Sequence, residues 1–326
     1  MYKWLYKSAL LLFLLISSYS EAQHYFVINE WRYYRNEFSI NGGVTNFLGE
    51  LGGRDQIGTD FVFDLEFKET NKAFILTHKY FIKRPLSLRQ TFSYGVVSGN
   101  DNLTQEPFRN NRNLHFFSNI FEYSFGLEYQ FLEEKVGNKY GLRNVAGRKI
   151  GWRFKSIGSY IFAGAGGFYF NPKAYYAGKA YELYDMHTEG QGLEGGPKQY
   201  KRYSISFPVG LGIRYAFKKT WGLKLELSHH FTLTDYIDDA STTYYDNNAI
   251  AQAYGPYAAH FANPTNGLLT PTVDWNPTGT GMQRGDPTDR DGFMFLTLGV
   301  YFKVKNRYQP YGGYRKSNRR LSKAYF

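Results

Sequence analysis

Residues 203–233 read YSISFPVGLGIRYAFKKTWGLKLELSHHFTL, with an apolar side chain at nearly every second position on both sides of a KKT turn. Ile205, Leu211 and Ile213 share one face of the first segment, and the residues between them are mostly small or polar. A period of two is that of a β-strand, in which successive side chains point to opposite faces. The stretch therefore predicts a hairpin of two long strands, each with one apolar and one polar face.

The start of the chain predicts that the protein is exported. Lys3 and Lys7 precede a short apolar run over residues 9–16, and small or polar residues follow it. This is the pattern of a secretory signal peptide, which we assign to residues 1–22 with cleavage after Ala22. The chain has no cysteine, which excludes a disulfide framework, lipid attachment through an N-terminal cysteine and thiolate metal sites.

Composition favours a membrane that is crossed by strands. No later segment approaches the uninterrupted run of about 20 apolar residues that a membrane helix needs. Aromatic residues make up 19% of the chain, which fits the interfacial girdles of an outer-membrane barrel. We therefore predict that the protein lies in the outer membrane of a Gram-negative bacterium, with membrane lipid against its apolar face.

Eight segments show the same alternation, and eight is the strand number of the smallest bacterial barrels. The predicted fold is all-β, an eight-stranded antiparallel up-and-down transmembrane β-barrel with long extracellular loops. Alternation is weakest around His78, and Pro208 predicts a bulge because it cannot donate to a ladder. The strands are predicted near 38–49, 72–82, 86–99, 117–131, 159–170 and 293–304, with two more within 203–233.

The connections between these strands alternate between long and short, as outer-membrane barrels require. Residues 248–281 have no periodicity, and the sequence leaves their structure open. The long connections, which we place outside the cell, cover 50–71, 100–116, 171–202 and 235–291. The predicted organisation is a signal peptide at 1–22, a periplasmic N-terminal segment at 23–36, the barrel at 37–305 and a basic periplasmic tail at 306–326.

This topology separates the charges of a chain whose formal net charge is +11. The predicted periplasmic side is basic and the outer connections are acidic, so we expect a periplasmic or outer-membrane protein partner besides lipid. Nucleic acid is not expected for an exported chain, and a solvated tail that only aids insertion is the alternative. The candidate partner-binding residues are Arg307, Arg315, Lys316, Arg319, Arg320, Lys323, Arg148 and Lys149.

The interior of an eight-stranded barrel is just wide enough for side chains to fill, so a solute channel is not expected. Charged residues on the inner face must then pair with one another. We predict a lumen charge network with three residues of each sign, and a gated proton or ion path is the alternative. The predicted members are Arg89, Glu122, Glu128, Arg214, Lys224 and Glu226.

Two acidic strings lie next to the predicted seventh and eighth strands. Clustered carboxylates on adjacent strand ends suit Ca²⁺, which takes six to eight oxygen ligands. The alternative is that they cap loop ends through side-chain to backbone hydrogen bonds. No other cofactor is predicted. The candidate calcium ligands are Asp235, Asp238, Asp239, Asp286, Asp289 and Asp291.

The sequence gives no pattern that is typical of an enzyme, and we predict none. His229 and His230 are adjacent in a strand, so they point to opposite faces and cannot chelate one metal. His187 and His260 fall in outer loops, and nothing in the sequence ties either to an acid or a serine. The RGD tripeptide at 284–286 resembles an adhesion motif, but three residues recur by chance.

Several stretches go beyond a generic barrel, including GGVTNFLGELGG at 42–53, FAGAGGFYFNPKA at 162–174, TEGQGL at 188–193 and MQRGDP at 282–287. Together they resemble a family of small Bacteroidetes outer-membrane barrels of uncharacterised function. A shorter relative in that group is the PorG subunit of the type IX secretion machinery. The resemblance implies a structural or docking component of an envelope complex. The alternatives are a cell-surface enzyme that uses outer-rim carboxylates and a loop-mediated adhesin.

Overall fold

A computed structural model describes residues 34–49, 51, 69–104, 106–134, 156–218, 220–269 and 276–306. The chain divides into two units, Arg35–Val304 and the two chain ends, and nearly all described residues belong to the first. The predicted signal peptide and the tail beyond residue 306 lie outside the described residues.

Strands alternate with long and short connections along the first unit. The strands are β1 Asn36–Leu48, β2 Asn71–Lys83, β3 Leu86–Asn100, β4 His115–Leu132, β5 Ile157–Tyr169, β6 Pro172–Tyr176, β7 Lys179–Glu182, β8 Tyr203–Ala216, β9 Trp221–Thr232 and β10 Gly292–Val304. The helices are α1 Pro107–Arg112, α2 Asn247–Tyr254 and α3 Pro256–Ala262, with 3-10 turns at Asp101–Leu103 and Leu183–Met186.

Eight of these strands close into a barrel. The antiparallel order is β3-β2-β1-β10-β9-β8-β5-β4, and β4 pairs in turn with β3. This confirms the predicted fold, and each strand end that the sequence indicated lies within two residues of its observed position. The remaining strands, β6 and β7, form a hairpin that extends from β4 in a long connection that was predicted only as a loop.

The barrel turns its apolar face outward. Along β8, Leu211 and Ile213 are 53% and 50% exposed, whereas Ser206 and Arg214, on the opposite face, are buried. An apolar exterior around a polar interior is the arrangement of a transmembrane barrel, whose closed ladder leaves no backbone group unpaired in lipid. The protein is therefore an outer-membrane β-barrel that is embedded in membrane lipid.

No helix in the described ranges is long and apolar enough to cross a membrane.

Pro208 does not produce the predicted bulge. The β5–β8 ladder has the same register on both sides of it, from Ala163 opposite Val209 to Gly166 opposite Ser206, and only the pairs between are missing. The β8–β9 register runs through Pro208 opposite His230 without a shift. The lost N–H therefore interrupts one ladder locally and leaves the geometry of the wall unchanged.

Short connections lie at one end of the barrel, at 84–85 and 217–220, and we call this the turn end. The other end, which we call the loop end, carries the ordered connections 101–114, 170–202 and 233–291 in their described parts. Residues 248–281, whose structure the sequence left open, supply α2 and α3 here. Ile250 and Ala258 of these helices are fully buried, so both helices pack into an outer cap over the barrel.

Candidate functional site: a filled lumen beneath an ordered cap

Charged side chains fill the barrel near the turn end. Arg214 of β8 donates to Glu37 of β1 at 2.6 Å, and its Nε lies 3.3 Å from Glu134, just beyond β4. Lys303 of β10 donates to Glu134 at 2.7 Å. Lys79 of β2 lies 3.3 Å from Glu37 and so joins the same group. Three cations and two carboxylates from five parts of the wall thus meet across the lumen.

A second group lies above the first and is joined to it through Lys79. Glu226 of β9 accepts from both terminal nitrogens of Arg89, at 2.6 and 3.1 Å, and from Lys224 at 3.1 Å. The hydroxyl of Tyr160 donates to the same carboxylate at 2.6 Å. Glu128 accepts from Lys79 at 2.8 Å and from Arg89 at 3.4 Å. Both groups together are called the lumen network below.

Five of the six residues predicted for the lumen therefore lie in one connected network, and Glu122 lies above it. The sequence reasoning missed four further members. Lys79 lies in the strand with the weakest alternation, Glu37 precedes the first predicted strand, and Glu134 lies just past the fourth. Lys303 lies near the end of the eighth predicted strand, where an inward side chain is hard to tell from a turn residue. The missed members are Glu37, Lys79, Glu134 and Lys303.

Glycines on the inner face make room for these large groups. A Cβ on Gly212 would clash with the ring of Tyr160, and one on Gly210 would clash with the ring of Phe162. The guanidinium of Arg89 lies 3.9 Å from the centre of that Phe162 ring, where a cation is attracted by the π-face. The alternation of Gly210 and Gly212 with apolar residues in the opening stretch is thus explained by the rings of their register partners on the adjacent strand β5.

The next layer contains an arrangement that resembles a hydrolase triad. Ser228 Oγ lies 3.0 Å from His230 Nε2, and His230 Nδ1 lies 2.9 Å from Glu122 Oε1. Ser206 also donates to Glu122. A serine, a base and an orienting acid in this order activate a nucleophile in hydrolases. Sequence reasoning missed it because Glu122 is more than a hundred residues away from His230.

Substrate access to this arrangement is closed. Ser228, His230 and Glu122 are all buried, and the cavity beside them has a volume of about 20 Å³. That is room for about one water molecule. The ring of His230 also stacks at 4.7 Å on Phe293, its register partner on β10. The three side chains are therefore held by hydrogen bonds beside a cavity that is too small for an organic substrate.

An aromatic plug closes the lumen at the loop end. Phe293 and Phe168 meet edge to face at 5.7 Å, and Phe47 packs in the same way on Phe116 at 4.9 Å. Such pairs add about 0.5–1.5 kcal/mol beyond the burial of their area. The six rings of the plug belong to one buried cluster that continues into the cap. They are Phe47, Phe116, Phe168, Phe170, Phe293 and Phe295.

Above the plug, two loop-end connections meet around the buried residue Arg284. Its guanidinium donates to Glu189 Oε1 at 3.1 Å and lies 3.7 Å from the carboxylate of Asp239. Glu189 also accepts from the backbone N–H groups of Ser241 and Thr242, at 2.9 and 3.0 Å. We call Glu189, Asp239 and Arg284 the cap hub. Its geometry fastens residues 188–191 to residues 239–242 and 284.

Burial sets the protonation of groups in the cap hub. It raises the pKa of the Asp239 carboxyl to about 6, because the attraction of Arg284 offsets only part of the cost of desolvation. Tyr200 donates to Asp239 at 2.8 Å, and burial beside that carboxylate raises the pKa of Tyr200 well above its usual range. Burial near Glu189 raises the pKa of Tyr236 to about 12. Both phenols are therefore protonated donors at neutral pH.

Arg112, which is half-buried, ties a third connection to the hub. Arg112 of α1 donates to both carboxylate oxygens of Asp101, at 2.7 and 3.0 Å, and to the backbone carbonyl of Arg284 at 2.6 Å. Asp101 also accepts from the N–H of Leu114 at 3.2 Å. Arg284 is the first residue of the RGD tripeptide, and its burial removes the guanidinium from the surface. The tripeptide therefore cannot present that charge to a receptor.

The structure does not assemble the predicted calcium ligands. No three Asp, Glu or His side chains in the described ranges come together as a metal site. Asp239 belongs to the cap hub, Asp291 accepts from the N–H of Ile237 at 2.8 Å, and Asp286 accepts from Thr288. These three carboxylates thus contact loop backbone and side chains, which are the kind of bonds that the alternative to calcium invoked. Asp235 and Asp238 are buried in the same cap, whereas Asp289 is exposed.

The histidines that the sequence singled out do not form a common site, and the predicted partner-binding residues lie outside the described residues. His187 stacks on Tyr254 at 4.2 Å, and His260 packs on Tyr176 at 4.2 Å, so each loop histidine contacts an aromatic ring. His229 and His230 lie on opposite faces of β9, as expected. The residues predicted to bind a partner, from Arg148 and Lys149 to those of the tail, lie outside the described residues.

Comparison with known proteins adds a partial sequence match and weak structural likenesses. A profile described as a domain of unknown function (DUF6089) matches residues 12–146, about two fifths of the chain. No curated protein sequence matches the chain.

Among solved structures, Neisserial surface protein A is 8% identical with a TM-score of 0.36, covering 82% of this chain and 97% of that one. Ail of Yersinia pestis is 10% identical with a TM-score of 0.33, covering 83% of this chain and 99% of that one. Outer membrane protein W of E. coli is 11% identical with a TM-score of 0.32, covering 82% of this chain and 98% of that one. Likenesses at this level carry no argument, and the barrel is established by the registers of its own strands.

Proposed function

We propose that this barrel is a non-enzymatic, non-conducting anchor that serves as a structural or docking component of an envelope complex. The observation that carries the proposal is the filled lumen, in which the lumen network and the aromatic plug occupy the bore one above the other. A barrel whose described side chains fill the bore in this way, beneath an ordered cap, offers its two ends as surfaces rather than its interior as a route.

The cap supports the outer half of this proposal. Three connections are tied together by the buried pair Arg284–Glu189 and by the bond from Arg112, itself paired with Asp101, to the carbonyl of Arg284. Loops that are held this firmly keep one shape, and a preformed surface loses less entropy when it binds a partner. The basic residues of the predicted periplasmic tail are the proposed contact on the other side, where a positive surface would attract an acidic partner.

The enzymatic alternative receives less support. Among the described residues, a nucleophile, a base and an acid meet at Ser228–His230–Glu122, and all three are buried beside a cavity of about 20 Å³. A relation to type IX secretion is the finer form of the proposal, and it rests only on the sequence resemblance given above.

The test is cross-linking in intact cells, with the affinity tag inserted at Gly178 in the exposed β6–β7 turn. We expect the full chain to cross-link to a periplasmic or outer-membrane protein, and a chain ending at Asn306 to lose that partner. A full-length chain in which Arg315, Lys316, Arg319, Arg320 and Lys323 are all changed to Gln is the matched control for charge.

Both variants must reach the outer membrane and show the heat-dependent shift in gel mobility of a folded barrel. Loss of the partner in both variants supports docking through the basic tail. If the full chain cross-links only to lipid and to itself, the docking proposal fails. If the partner belongs to a secretion machine, the finer form gains its first direct support.

A further inference from the structure

A small cavity lies where the lumen network meets the Ser228–His230–Glu122 arrangement. Its volume is about 20 Å³, and Arg89 and Glu226 of the network line it together with Ser228 and His230. All four side chains are buried. A cavity of this volume can hold one water molecule, provided that two to four polar groups are there to bind it. We call this space the lumen cavity.

Two glycines keep part of the wall beside the lumen cavity free of side chains. Gly126 of β4 and Gly164 of β5 are register partners, and both line the cavity. A Cβ on either glycine would clash with a backbone oxygen of the other strand, so neither position accepts a larger residue without a shift of the wall. The space is therefore built into the pairing of β4 with β5.

Thr297 brings to the lumen cavity a hydroxyl group that needs a partner. It lies on β10 as the register partner of Glu226, lines the cavity and is 1% exposed. Its Oγ1 forms no hydrogen bond with any group in the described part of the chain. An unbonded buried hydroxyl is costly, and buried polar groups are nearly always bonded to protein or to water. The Thr297 hydroxyl therefore indicates an occupant of the cavity.

The charges that line the lumen cavity favour an uncharged occupant. A cation would face Arg89 and an anion would face Glu226, and these two already pair with each other at 2.6 Å. A water molecule can both donate and accept, and a bridging water is nearly as favourable in enthalpy as a direct hydrogen bond. It can accept from Thr297 while it donates to a carboxylate or hydroxyl oxygen of the lining.

From these observations we infer that the lumen cavity is a binding site for one ordered water molecule. The water bonds the Thr297 hydroxyl and bridges the lumen network to the Ser228–His230–Glu122 arrangement. Polar contacts then run without a break from Lys303 near the turn end to Glu122. The inference involves no protein partner, so it stands or falls separately from the docking function.

The test measures nuclear Overhauser effects between water and the full-length protein in nanodiscs, with threonine methyl groups protonated in a deuterated chain. We expect a cross-peak between the Thr297 methyl group and water, with the sign of a long-lived bound water. Thr45 is the internal control, because it is equally buried but donates its hydroxyl to the carbonyl of Val96 and does not line the cavity. Its methyl group should show no cross-peak, which excludes a signal relayed through a buried hydroxyl proton.

A matched pair of variants tests the location of the water. Ser93→Val places a larger apolar side chain in the cavity lining and should remove the Thr297 cross-peak. Ser87→Val makes the same change at a buried position of the same strand that does not line the cavity, and should leave the cross-peak in place.

Both variants must show the heat-dependent gel shift of a folded barrel, and the measurement on the unmodified protein needs neither of them. The absence of a cross-peak at Thr297, or cross-peaks of equal intensity at Thr297 and Thr45, would overturn the inference. A Thr297 methyl resonance that moves when chloride is exchanged for bromide would show an ion in the cavity and would overturn it as well.

Discussion

The lumen network and the cap hub both bury ionised groups, but they distribute them differently. In the lumen each of three cations touches two carboxylates: Lys79 joins Glu37 and Glu128, Arg89 joins Glu128 and Glu226, and Arg214 joins Glu37 and Glu134. In the described part of the cap, Arg284 is the one cation that faces both Glu189 and Asp239. The lumen charges are also held by a closed ladder of strands, whereas the cap charges come from connections.

This difference predicts how each region fails. A network in which neighbours share partners spreads the loss of one charge over several remaining pairs. A hub with one cation leaves two buried carboxylates facing each other when that cation is removed. A buried charge without its partner is one of the most expensive single defects in a protein. The cap should therefore be the more fragile of the two regions, although both are fully buried.

The largest effect is expected from Arg284→Ala. Removing this guanidinium leaves Glu189 and Asp239 without their cation and should cost the cap about 3–5 kcal/mol. Hydrogen exchange read by mass spectrometry should show faster exchange in residues 184–202 and 234–245, with the barrel strands unchanged. Arg290→Ala, in the same connection but exposed, is the control. Equal protection of the cap in both variants would contradict the hub.

A smaller loss is expected from Glu226→Gln in the lumen. The amide keeps an acceptor for Tyr160 but loses the charge that faces Arg89 and Lys224, while Arg89 keeps Glu128. The expected loss is about 2–3 kcal/mol of unfolding free energy, in the range for hydrogen bonds to charged groups. Urea unfolding in lipid vesicles, followed by tryptophan fluorescence, measures it. The control, Glu194→Gln at an exposed position, should leave the unfolding free energy unchanged. A loss of free energy for Glu226→Gln as large as that for Arg284→Ala would contradict shared pairing.

The cap hub should also depend on pH through Asp239. Its pKa is raised to about 6 in the folded cap, so the folded state binds the proton more tightly than the unfolded state does. The contribution of this group to stability is therefore fully present below pH 4 and is lost as the pH rises through 6.

The lost contribution amounts to roughly 2–3 kcal/mol for a shift of this size. Asp239→Asn should abolish this dependence between pH 4 and 7, and the exposed Asp185→Asn should retain it. The measurement is the opening free energy of residues 184–202, from exchange rates corrected for intrinsic chemistry. If Asp239→Asn retained the pH dependence of the opening free energy, that dependence would belong to another group.

The smallest effect is expected from Ser228→Ala. The substitution leaves one nitrogen of His230 without its hydroxyl partner and should cost about 1 kcal/mol. A fluorophosphonate probe, which labels activated serines, should label neither the unmodified protein nor the variant, because Ser228 is buried beside a cavity of about 20 Å³. Labelling of the unmodified protein that is lost in Ser228→Ala would revive the enzymatic alternative.

The barrel itself could be predicted because its signal is local. In residues 203–233 a period of two marks each strand, and the same period indicates that Arg214, Lys224 and Glu226 point inward. Glu37 and Lys79 were not predicted to point inward. Glu37 precedes the first clear alternation of apolar and polar residues, and Lys79 lies where Thr77, His78 and Lys79 interrupt that alternation. The expected bulge at Pro208 was wrong because the ladder tolerates a short local gap.

The cap could not be predicted in the same way. Arg284 was noticed only as part of RGD, and Glu189 only as part of the TEGQGL stretch, since nothing local connects residues that are 95 positions apart. The six aspartates suggested calcium because their composition suits it, but the folded chain directs Asp239 and Asp291 to other groups. The Ser228–His230–Glu122 arrangement depends on the closure of the barrel, which brings β4 and β9 face to face across the lumen.

The most direct test of the closed barrel is a conductance measurement on the purified full-length protein in a planar lipid bilayer. With the lumen network and the aromatic plug both in place, the current at constant voltage should remain at the level of the bare bilayer after insertion. Insertion should be verified by protease protection of the same preparation. Stable, reproducible current steps from the unmodified protein would show an open path through the lumen and would contradict the account.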